Sequence, residues 1–139
     1  MPGNIAPIYS KVAHWQWSTG ISAANTALDG IGTSYIVFTA DPNNGGYVKK
    51  LRIKPIAANS IATVMRIFIN NGSPTSTAAN NVLYDEIALG TNVLTQSSAF
   101  PFYEVPINEA LPPNYQIFVT LGTATSGAGY AVTVVAGKY

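Results

Sequence analysis

Apolar and polar side chains alternate along most of this chain, in short stretches cut by clusters of Gly, Asn, Pro and Ser. A period of two is what a pleated strand with one buried face demands, and the clusters are what turns demand. About eight segments carry the pattern: Tyr9–Trp17, Thr33–Ala40, Tyr47–Lys54, Ile61–Asn70, Val82–Leu89, Phe100–Ile107, Tyr115–Leu121 and Tyr130–Ala136. In the fourth, Ile61, Thr63, Met65, Ile67 and Ile69 share one face. No stretch keeps a three-to-four apolar spacing over three turns, and Ser22–Leu28 offers at most one short helical turn within the small-residue stretch Ser18–Gly32.

The punctuation agrees. Asp41-Pro42-Asn43-Asn44-Gly45-Gly46 and Asn70-Asn71-Gly72-Ser73-Pro74 supply residues that tolerate the positive φ of tight connections. Pro55 ends the Tyr47 strand because proline cannot donate to a ladder. Pro101 and Pro106 make Phe100–Ile107 an edge or a bulged strand, and Leu111-Pro112-Pro113-Asn114 is a corner. With no repeat, no linker and no shift in composition, the expected fold is all-β: a single-domain antiparallel β-sandwich of jelly-roll type, about eight strands at residues 9–139, preceded by an extended arm at 1–8.

Charge narrows what such a sandwich can do. Seven Lys or Arg and six Asp or Glu make 9% of 139 residues, against 47% hydrophobic, where a soluble domain carries about 25% charged residues. So bare a surface is expected to be shared with other chains. A net charge of +1 gathers neither nucleic acid nor anionic lipid. The absence of Cys removes disulfides, thiolate metal sites and cysteine nucleophiles, and a single His leaves little for zinc or acid–base work, so no metal and no cofactor are expected. Residues 1–10 lack a cationic, apolar leader, and no apolar run is long enough for a spanning helix, so neither secretion nor a membrane is expected.

Few residues invite a chemical role. Lys49-Lys50-Leu51-Arg52-Ile53-Lys54 places Lys50, Arg52 and Lys54 on one strand face, a stripe about 13 Å long; a solvated outer face and an ionic contact with an acidic partner both fit it. Asp85 and Glu86 are neighbours in a strand and face opposite ways, so they make no glycosidase-like pair, and salt bridges are the expected use of the acids, Glu104 included. The loop from Asp41 resembles a calcium loop only in its first positions; its twelfth is Arg52, so it is a turn. His14 has no metal-ligating neighbour and is expected as a hydrogen-bonded interior or interface residue. Trp15 and Trp17 share a face with Ala13 and are expected in the core, with interface anchoring the alternative. Gly30-Ile31-Gly32 reads as a flexible loop, and Asn71-Gly72-Ser73, followed by Pro74, as a turn rather than a glycosylation site. No nucleophile elbow, phosphate loop or dinucleotide turn occurs. The expected partner contacts are Ile5 and Ile8 in the arm, Trp15, Trp17, Lys50, Arg52 and Lys54.

Tyr9-Ser10-Lys11-Val12, Tyr35-Ile36-Val37-Phe38-Thr39-Ala40-Asp41, Asn44-Gly45-Gly46-Tyr47-Val48, Arg66-Ile67-Phe68-Ile69-Asn70-Asn71-Gly72 and Leu111-Pro112-Pro113-Asn114-Tyr115 resemble phrases of small virion structural proteins of tailed bacteriophages. Among these the capsid decoration, or cement, proteins are β-sandwiches that often assemble as trimers on the outside of the head. The resemblance implies a non-enzymatic viral protein of the virion, made in the host cytoplasm, whose partners are itself, as a homotrimer, and the major capsid protein. It brings no motif of functional residues to transfer. A head or tail fibre tip, or a receptor- or carbohydrate-binding module using Tyr and Trp, is the alternative; a depolymerase would need clustered carboxylates, and the six acids are scattered.

Overall fold

The computed structural model describes residues 10–139; the expected arm, with Ile5 and Ile8, lies outside the described residues. Two antiparallel sheets face each other as a sandwich. The strands are β1 (Val12–Ala13), β2 (Gln16–Ile21), β3 (Tyr35–Thr39), β4 (Gly46–Pro55), β5 (Thr63–Asn70), β6 (Asn81–Leu89), β7 (Tyr103–Leu111), β8 (Gln116–Leu121) and β9 (Tyr130–Lys138). One sheet runs β1–β9–β4–β7, with β2 also on β9, and the other β3–β8–β5–β6.

The all-β sandwich expected from the alternation is what forms, with nine strands because the first segment divides. Val12 and Ala13 pair with Lys138 and Gly137, and Gln16 and Trp17 with Val134 and Thr133, so β1 and β2 are two pieces of one line along β9. The line extends to Ile21, four residues past the expected end at Trp17. Ser22–Leu28 forms no helical turn. Pro55 ends β4 as expected. β7 is both an edge and bulged: Val48 pairs with Glu109 but Lys50 with Pro106. It begins at Tyr103, beyond Pro101, and runs on to Leu111. Ile61 falls outside β5 and is exposed, whereas Thr63, Met65 and Ile67 are buried.

Alternation builds the core directly. Val48, Leu51 and Ile53 of β4 and Val132 and Val134 of β9 meet Met65 and Ile67 of β5 and Ile117, Val119 and Leu121 of β8, each such burial contributing about 1.5–3 kcal/mol. β8 is buried on both faces, because the connection between β2 and β3 folds over the outside of its sheet. There Phe118 stacks on Phe68, centroids 5.0 Å apart and planes 4° from parallel. Gly30 presses on the pair: it is buried at φ +80°, and a Cβ there would stand 2.7 Å from Phe118 Cζ. The Gly30–Gly32 segment is therefore a fitted cover and not simply a flexible loop. Asn81 Nδ2 donates to Asp29 O (3.1 Å) and Asn25 Nδ2 to the carbonyls of Ile31 and Thr33 (3.0 and 2.8 Å), fastening it.

One end of the sandwich is held by a single buried side chain. Asn59 Oδ1 accepts from Ile61 N, Ser126 N and Ser126 Oγ, and its Nδ2 donates to Ile61 O and Tyr130 Oη. Asn59 and Asn92 also exchange backbone hydrogen bonds of 3.0 and 2.7 Å. The connections 56–62, 90–102 and 122–129 are thus joined, and none of them contains Asp, Glu, Lys, Arg or His.

Candidate interaction surface

Register brings five of the seven expected contact residues to the outer face of the β1–β9–β4–β7 sheet. Trp17 pairs with Thr133, Thr133 with Arg52 and Arg52 with Glu104, so these four lie in one row across β2, β9, β4 and β7. Two strand spacings, about 10 Å, separate Trp17 from Arg52. The adjoining rows place Lys50 beside Val135 and Pro106, and Lys54 beside Ala131. Trp15, two residues before Trp17, lies on the same face along the line of β1 and β2.

Trp15 and Trp17 are not in the core. They are 56% and 68% exposed, standing at the sheet's rim. The reason is topological: β2 is the outermost strand, and its register sets Gln16 and Ser18 beside the wholly buried Val134 and Val132, so the odd positions from 13 to 17 face out; the bulge after Ser18 then turns Ile21 inward. Spacing puts the two indoles together; only the pairing of β2 with β9 decides which way they point.

The cationic stripe is tied down locally. Glu104 Oε1 accepts from Lys50 Nζ at 2.9 Å and from Arg52 Nη1 at 3.0 Å. The hydrogen bond from Lys50 does most to hold the Glu104 carboxyl below the ordinary carboxylate range; desolvation opposes it, and the charge of Lys50 and the contact with Arg52 lower it further. Arg52 also lies over the Phe102 ring, 4.1 Å from its centroid, and Lys54 Nζ donates to Phe100 O (2.6 Å). A bulge at Val48–Lys50 leaves Lys49 exposed as well. Beside it a shallow groove of about 310 Å³ runs over Ala13, Val135 and Gly137 between Lys11, Tyr47 and Lys49.

The other expected sites resolve simply. Asp41 Oδ1 accepts from the backbone N–H groups of Asn44 and Asn43, which hold its pKa down, and the loop is a turn. Its Gly45, at φ +71°, passes so close to Leu111 O that a Cβ would collide. Glu86 pairs with Arg66 (3.2 Å), while Asp85 lies on the opposite side of β6 and accepts from Glu86 N. His14 is half-buried, edge-on to Phe38 with centroids 5.8 Å apart. Its Nε2 accepts from Gln16 Nε2 (3.2 Å), because an amide nitrogen can only donate.

Gln16 was invisible as a functional residue in the sequence. Its amide donates to Thr39 O (2.8 Å) and accepts from Thr39 N (2.9 Å), copying a strand partner and clasping the edge of β3 to β2. Val93 and Leu94, 81% and 57% exposed at the uncharged end, were missed too, since lone apolar residues in a loop give no periodic signal. Among the described residues no group of three or more His, Asp or Glu is placed to hold a metal ion, and no helix is long and apolar enough to cross a membrane. The sequence matches no protein-family model and no curated protein.

Proposed function

We propose that this chain is a non-enzymatic virion structural protein that binds the outside of an assembled phage capsid as a homo-oligomer and stabilises it. The observation that carries this is a surface finished for contact: the core is closed, yet among the described residues thirteen large hydrophobic side chains, Trp15 and Trp17 foremost, stand exposed on a chain with few charges. Sequence phrases resembling capsid decoration proteins point the same way. So does the strand order: with β1 and β2 counted as one, β2–β9–β4–β7 against β3–β8–β5–β6 is the order we read as jelly-roll connectivity.

Such a protein does no chemistry. Because it binds the completed shell and not its dissociated subunits, each bound copy shifts the equilibrium toward the shell, and many modest contacts sum. The uncharged end carrying Val93 and Leu94, together with residues 1–8, supplies the shell contact in this account. The test is to quantify the chain in purified virions of the phage that encodes it, and to add purified protein to heads prepared without it. Occupancy saturating at a fixed ratio to the shell protein, with a higher temperature of head rupture, is expected; absence from virions and from treated heads overturns the proposal.

One observation favours a second reading. Two exposed indoles beside the small residues of β9 also make a shelf on which sugar rings stack, as a fibre tip or carbohydrate-binding module would use. That reading requires saturable quenching of tryptophan fluorescence by an oligosaccharide.

A further inference from the structure

The two side walls of the sandwich differ in charge, and the difference says where copies of the chain meet. On one wall the edge strands β6 and β7 carry Asp85, Glu86, Glu104 and Glu109; Lys50 and Arg52 from β4 brace Glu104 and Arg66 from β5 braces Glu86, while Asp85 and Glu109 have no ion-pair partner among the described residues. On the other, β1, β2 and β3 carry no Asp, Glu, Lys or Arg at all. This uncharged wall shows Val12 (51% exposed), Trp15, Trp17 and Ile36 (49%). In a closed homo-oligomer the residues nearest the rotation axis meet their own copies, so like charges there face one another and repel. Two acids without cationic partners disfavour the first wall at the axis; strands with no charge of their own are suited to it.

Backbone groups agree. His14 N donates to Ala136 O (2.8 Å), and in an antiparallel line the even residues from 14 to 18 turn their N–H and C=O toward β9 and the odd ones away. Among the described residues nothing in either sheet pairs with that outer side of β2. The edge has a bulge between Ser18 and Ile21, but ahead of it carries neither the proline nor the acids that blunt β7. Tryptophans of 150–250 Å² each, more than half exposed, are the usual anchors at the centre of an interface.

We infer that the β1–β2 edge is the self-association surface of this chain, with Trp15 and Trp17 buried against a second copy around the symmetry axis. This rests on the homo-oligomer of the proposed function and gives it residues. The chain has only these two tryptophans, so tryptophan fluorescence reports on this face. Light scattering on the purified full chain is expected to give a whole multiple of 14.6 kDa, two or greater, with indoles shielded from acrylamide and becoming quenchable on dilution to the monomer. Trp17→Lys, at an exposed position and with circular dichroism unchanged, is expected to give the monomer mass; Trp17→Phe is expected to keep the assembly, and Leu94→Asp, at the far end, to leave it untouched.

An oligomer that Trp17→Lys leaves intact, or an assembled wild type whose indoles are as quenchable as in dilute monomer, overturns the assignment while leaving the capsid proposal standing. The quenching measurement on the wild type decides even where a variant fails to fold. A wild type that stays monomeric at all concentrations overturns both the assignment and the homo-oligomer, and a monomer whose emission shifts with added oligosaccharide gives the face to a sugar. Loss of head binding with assembly intact bears on the capsid proposal alone.

Discussion

On one side of the sandwich the edges of β6 and β7 come together, and on the other those of β2 and β3, and the molecule closes the two by different means. Between β6 and β7 two tyrosines do the bridging, Tyr84 Oη donating to Ile107 O at 3.4 Å and Tyr103 Oη accepting from Gly90 N at 3.2 Å, while the rim acids are braced within their own sheets, Glu104 by Lys50 and Arg52 and Glu86 by Arg66. Burial raises the Tyr84 pKa, and Glu109 and Asp85 nearby add to it, a sign of how acidic this rim is. Between β2 and β3 there is one amide clasp, Gln16 on Thr39, and beyond it a neutral loop wrapped over Phe118. The unpaired acids of the first side discourage edge-to-edge pairing. The neutral side is sealed inside and keeps apolar groups outside, which in the proposed assembly gives one small domain a preferred partner surface.

The largest way to break the comparison is to take away what the neutral side is wrapped around. Phe118→Ala empties a site with no solvent exposure beneath Gly30, and a loss of about 3–5 kcal/mol is expected from denaturant unfolding; a loss under about 1 kcal/mol would mean that the loop is not packed on the ring. Next is the clasp. Gln16→Ala leaves Thr39 N and O without their partner, at an expected cost of about 1–3 kcal/mol, and hydrogen exchange at Thr39 is expected to accelerate while that in β5 and β6 does not. The smallest effect belongs to the acidic side. Glu104→Gln is expected to change stability at neutral pH very little, because its ion pairs are solvent-exposed.

Acid shows that side's contribution more clearly. Glu104 and Asp41 have folded-state pKa values below their unfolded ones, so the unfolded chain binds more protons as pH falls. The stability they lend is complete above the ordinary carboxylate range and is lost on acidification through the lowered values. A melting-temperature profile that is level toward pH 5 and falls below about pH 4 is expected, with a shallower fall in Glu104→Gln.

Much of this architecture could be read from residue order, and the unread parts share a cause. Segments such as Val82–Leu89 and Tyr130–Ala136 stand close to where the alternation put them, because their inward faces and their turn residues are local signals. Pro101 and Pro106 marked the segment of β7 as an edge or a bulged strand for the same reason, and it is both: a missing N–H needs no tertiary context to be recognised. The direction in which Trp15 and Trp17 point was not local. It follows from β2 pairing with a strand more than one hundred residues later in the chain. Likewise Gly30 and Gln16 carry no periodic signal, and their roles exist only once Phe118 and Thr39 arrive beside them. The stripe Lys50, Arg52, Lys54 was legible as a stripe, but its bracing by Glu104 was not, since cross-strand partners are set by register.

That distant pairing also sets the order of events at birth. β9 lies between β2 and β4, and among the described strands β1 and β2 have no other partner. While the ribosome is still making residues 22–129, the first strands must wait unpaired, their indoles free, and only the arrival of residues 130–138 completes their sheet. The β5–β6 hairpin, adjacent in sequence, has no such delay. Closure of this sheet therefore waits for β9, and a truncation that removes it yields not a smaller sandwich but a chain with its stickiest segment exposed.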